Sequence, residues 1–150
     1  MVIVSALLSA IHVLTLALGL GSVFVRGRAL AGPLDDAGWR RLLAADNVWG
    51  IAAVLWIASG FGRVFFGGRE PAFYWGNGFF WVKLALFALV GALEVTPMLT
   101  FLRVRSARRR HAALPPLPVA TLRRINGIEV VLAVVIAFVA AFMARGVWMF

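Results

Sequence analysis

The sequence predicts an all-α integral membrane protein, an antiparallel four-helix transmembrane bundle forming one domain over residues 1–150, with both termini outside. Three observations carry this. Hydrophobic residues make up 63% of the chain and charged residues only 14%, against about 25% charged in a soluble domain. The mean hydropathy is +0.94. The apolar residues also gather into four runs, each near the ~20 residues that a spanning helix needs.

The first span covers about residues 2–25 and stops at Arg26 and Arg28. No positive residue precedes it, and its apolar run exceeds a signal-peptide core, so it reads as a spanning helix. The second covers about 45–66 and ends at Gly67-Gly68, a pair that favours a turn. The third covers about 79–102 and stops before Arg103 and Arg105, and the fourth covers about 125–144, with Arg145 and Trp148 as an interfacial anchor.

The net charge of +9 follows from topology and gives little reason to expect nucleic acid as a partner. Of the 15 basic residues, 11 lie in two loops that four spans place on one side: Arg26, Arg28, Arg40 and Arg41, then Arg103, Arg105, Arg108, Arg109, Arg110, Arg123 and Arg124. The positive-inside rule makes that side the cytoplasm. In the second of these loops Pro115-Pro116-Leu117-Pro118 predicts a stiff extended connector. The opposite loop is aromatic, with Phe73, Tyr74, Trp75, Phe79, Phe80 and Trp81. Such rings form an interfacial belt by default; Gly76 and Gly78 suggest a re-entrant lid as the alternative.

Ionisable groups inside spans are costly and mark the bundle interior or function. His12 lies about 15 Å from the outer end of the first span, and Ser5, Ser9 and Gly19 share its face, so this stripe is expected to point inward. Arg63 and Lys83 lie near the outer ends of spans two and three. They are expected either to snorkel to headgroups or to form a cationic pocket for a carboxylate, propionate or phosphate. Asp46, Glu94, Asn126 and Glu129 gather at the inner end, with Arg41, Arg123 or Arg124 as neutralising partners. That polar cluster is expected to lock the bundle by interhelical salt bridges, with proton handling by Glu94 and Glu129 as the alternative. The bend expected of span three falls at Pro97. Alanines 133, 137, 140, 141 and 144 are expected to allow close helix contacts.

With no cysteine, thiolate metal sites and thiol chemistry are excluded. There is no phosphate-cradling glycine loop, paired-histidine motif or serine elbow. His12 and His111 cannot ligate one haem from two spans, and neither Met98 nor Met143 is level with His12.

The chain resembles an uncharacterised bacterial family of four-span membrane proteins, a domain of unknown function. The likeness rests on His12, on Arg40-Arg41 followed by Asp46 and Trp49-Gly50, on Gly60-x-x-Arg63, and on Phe73-Tyr74-x-x-Asn77-x-x-Phe80-Trp81-x-Lys83. More distantly it is similar to the HemJ-type protoporphyrinogen oxidases, at His12, at Trp81 with Lys83, and at Asn126 with Glu129. It departs from them in lacking a later-span histidine, in having tryptophan at 81, and in the wider Asn126–Glu129 spacing. That second resemblance implies haem b, with His12 as iron ligand or base and Arg63 and Lys83 on the propionates.

The function expected is therefore a multi-pass protein of the bacterial cytoplasmic (inner) membrane holding haem or another anionic redox cofactor within the bundle, on His12, Arg63, Lys83 and Trp81. The alternative is an accessory or scaffold subunit of a larger membrane complex, or a homo-oligomer. A transporter using Glu94 and Glu129 comes third.

Overall fold

The computed structural model describes residues 2–67 and 69–150, so Gly68 of the expected turn lies outside the described residues. Five helices follow in order: α1 (Val2–Ala31), α2 (Asp36–Phe66), α3 (Pro71–Trp75), α4 (Gly78–Arg109) and α5 (Val119–Ala144). The four long ones are apolar and long enough to cross a membrane. Each outruns its expected apolar segment at the arginine-rich end, because a helix continues into polar sequence once its backbone and side chains find partners.

The helix ends follow local chemistry. Asp35 caps α2 by accepting a hydrogen bond from the Gly38 amide at 2.7 Å, which satisfies one of the donors a helix start leaves free. Asn77 does the same for α4 through the Phe79 amide at 2.9 Å, and Pro71 opens α3, where no amide is needed. His111, in the left-handed region at φ 52°, ends the α4 segment. An extended stretch through the prolines then leads to α5. Pro97 is buried inside α4, and the helix runs unbroken past it.

Helices α1 and α2 run antiparallel along their full length. Ser5 bonds the Gly67 carbonyl, His12 meets Ser59, Gly19 faces Ala52 and Trp49, and Arg26 reaches Asp46. Helix α1 also packs on α5, and α5 on α4, whereas α2 and α4 meet through side chains with little close backbone approach. At the arginine-rich end Leu30, Trp39, Leu42, Phe101, Val104 and Leu122 form an apolar core.

The opposite end is closed by aromatics. Val64, Tyr74, Phe80 and Met143 pack together under α3. Residues 76–78 pair with the C-terminal segment: the Gly78 amide donates to the Trp148 carbonyl at 3.0 Å, and the Phe150 amide to that of Gly76 at 2.9 Å. The aromatic loop is thus a cap across the ends of α2, α4 and α5. Among the alanines of α5, Ala133 is buried while Ala141 and Ala144 are exposed.

Helix α1 passes close to an α5 side chain at Gly27, where an added Cβ would stand 2.6 Å from Asn126 Nδ2. Gly27→Leu is expected to push Asn126 off Arg26 and to cost about 1–3 kcal/mol, as overpacking does. The check is an apparent melting temperature in detergent, which should fall by roughly 3–10 °C.

Candidate functional site

Two polar regions lie inside the bundle, separated by an apolar cavity. The first is centred on Arg26. Its guanidinium is 1% exposed and Glu129 is 0% exposed. Arginine presents five N–H donors in a fixed fork, and here they reach all three other long helices. Nε donates to Asn126 Oδ1 at 2.9 Å, Nη1 to Asp46 Oδ1 at 3.2 Å and to Glu94 Oε1 at 2.8 Å, and Nη2 to Glu94 Oε2 at 3.1 Å and to Glu129 Oε2. The indole of Trp49 donates to Glu94 Oε2 at 3.0 Å. On the far side of Asp46, Arg105 donates to Oδ2 at 2.8 Å and to Asn47 Oδ1 at 2.8 Å.

Asp46, Glu94, Asn126 and Glu129 are therefore brought together, but not with the cations expected for them. Arg123 and Arg124 are exposed, and Arg41 donates to the Ala37 carbonyl of its own helix. Arg26 and Arg105 take that role because helices α1 and α4 continue past their apolar runs and carry both side chains inward. By hydropathy alone both fall in the arginine-rich loops.

The second region lies towards the aromatic cap. His12 Nδ1 and Ser59 Oγ are 2.8 Å apart, and the imidazole stands against the Trp56 ring, with centroids 5.9 Å apart. Arg63 and Lys83 both lie within Coulombic range of this imidazole, and of each other. Lys83 Nζ also sits 5.5 Å from the Phe80 ring centre. None of these three basic side chains has an acidic partner among the described residues. Trp81 stands apart from them, donating to the Trp75 carbonyl at 3.1 Å within the aromatic cap.

Between the two regions, where α2 and α4 are held apart by side chains, is a cavity of about 140 Å³ whose walls include Gly19, Trp49, Trp56, Phe87, Gly91 and Glu94. The indole N–H of Trp56 is buried without a hydrogen-bond partner among the described residues. An apolar cavity of about 150 Å³ stays dry and takes a benzene-sized guest. A cofactor needs a pocket of about 300–1,000 Å³.

Haem does not fit these residues. The cavity is too small for a macrocycle and His12 is not part of its wall, while the face of the imidazole is taken by the Trp56 ring. Purified protein is accordingly expected to show no Soret band, even after incubation with haem; a band of one haem per chain would overturn this.

Fold and buried ionic centre together define a multi-pass helical membrane protein. The chain belongs to the family described as predicted membrane protein (DUF2214), which matches residues 4–148. No curated protein and no solved structure matches it, and the likeness to HemJ-type oxidases gains no support.

Proposed function

We propose that the protein binds an amphipathic anion within the membrane, its charged group on His12, Arg63 and Lys83 and its apolar end in the cavity between α2 and α4. The carrying observation is a group of basic side chains on the spanning helices with no acidic partner among the described residues. Charges at membrane depth pair with one another or mark a substrate path. Two cations held in range of each other repel, and an anion between them removes that cost. The apolar end finds Phe87 one turn from Lys83, and Trp56 beside His12. A carboxylate or phosphate satisfies these donors, whether it belongs to a free amphiphile or to a lipid. The arginine-rich end is assigned to the cytoplasm of a bacterial inner membrane, on the distribution of arginines between the loops.

Tryptophan quenching by a brominated long-chain carboxylate, set against the matching neutral alcohol, tests the reading. Saturable quenching by the carboxylate is expected. Lys83→Gln with Arg63→Gln should weaken it at least tenfold, since each charge-assisted hydrogen bond contributes about 1.5–3 kcal/mol, and leave the alcohol unaffected. Equal quenching by both probes, indifferent to the variants, would mean that the cations serve surrounding headgroups. A stoichiometric partner in native-membrane extracts would then favour the accessory-subunit reading.

A further inference from the structure

We infer that the Arg26 cluster is also a proton site: Glu94 and Glu129 hold one exchangeable proton between them. Three carboxylates, of Asp46, Glu94 and Glu129, face two guanidiniums, of Arg26 and Arg105. The remaining neighbours are neutral. From α2 they are the Trp49 indole and the Asn47 amide, and from α5 the Asn126 amide. The full set of charges thus leaves one surplus negative charge in a cluster whose centre, Arg26 with Glu129, is buried.

The position of that charge is marked by a second observation. Glu129 Oε1 is fully buried and accepts from no donor among the described residues, although the Glu94 and Glu129 carboxyls stand side by side, both accepting from Arg26 Nη2. Two acceptors in contact repel, and a buried acceptor without a donor is costly. Carboxyl groups that share a site resolve both problems by sharing a proton. One proton turns this contact into an O–H···O bond and brings the cluster to neutrality. The step is a simple protonation with no other reactant. Glu94, whose side chain is 22% exposed against 0% for Glu129, is the member from which the proton exchanges. Glu94 also forms part of the cavity wall, so the proton site and the proposed anion site are neighbours. Neither inference depends on the other.

Charge counting gives a test that a merely structural cluster would not pass. Infrared spectroscopy of the whole protein in lipid at neutral pH should show a protonated-carboxyl C=O band that shifts in D₂O. Glu129→Gln and Glu94→Gln should each remove the band, because each leaves two carboxylates facing two guanidiniums. Asp46→Asn should remove it as well, although both glutamates remain. The near-isosteric Glu129→Gln keeps the buried shape, so folding does not limit the experiment. Absence of the band in the unaltered protein, or its persistence in Asp46→Asn, would overturn the inference.

Discussion

Replacing Arg26 with glutamine is expected to destabilise the bundle by about 3–5 kcal/mol, the cost of breaking a buried ion pair from one side. A single guanidinium joins α1 to Asp46 on α2, Glu94 on α4, and Asn126 and Glu129 on α5. Without it, three carboxylates remain inside the bundle with Arg105 alone, which touches only Asp46 among them. Arg26→Lys should recover part of the loss, since an ammonium keeps the charge but cannot reproduce the planar fork. Glu129→Gln should melt near the unaltered protein, because it removes an acid and leaves Arg26 its acceptors. The measurement is the apparent melting temperature in detergent with the monodispersity of the eluted protein. An Arg26→Gln variant that melts like the parent would show that packing alone holds the four helices.

The four spans were legible because a bilayer asks for one property, sustained apolarity over a known length. The inward face of α1 was partly legible too. Ser5, His12 and Gly19 recur every seven residues, and each meets α2 in the structure. The next step of that repeat is Arg26. A hydropathy reading stops there, since a charge at the end of an apolar run looks like an orientation signal. A periodic reading would have continued inward to the centre of the ionic cluster. Arg105 escaped for the same reason. On α5 the buried stripe is Leu122, Asn126, Glu129 and Ala133, with Arg123 and Arg124 on its flank and exposed, so nearness in sequence to the acids misled. The pairing of 76–78 with the C-terminal segment had no local signature at all. It is two backbone hydrogen bonds across about seventy residues, between segments with no strand periodicity.

Filling the cavity should separate its role from that of the cations above it. Gly91 lies on its wall, and a Cβ added there meets nothing within 4 Å. Gly91→Leu is therefore expected to raise the apparent melting temperature by a few degrees. Removing a helix-interior glycine contributes up to about 1 kcal/mol, and the new side chain gains dispersion contacts that an empty space denies its walls. The same change should weaken quenching by the brominated carboxylate at least tenfold while leaving His12, Arg63 and Lys83 untouched, because the apolar end of the ligand loses its place. Stabilisation with unaltered quenching would mean that the gap between α2 and α4 is only a packing void and that the anion rests on the cations by its charged group alone. Loss of quenching in Gly91→Leu and in the paired Lys83→Gln, Arg63→Gln variant, each through a different part of the molecule, is the result that a single amphipathic ligand spanning both regions requires.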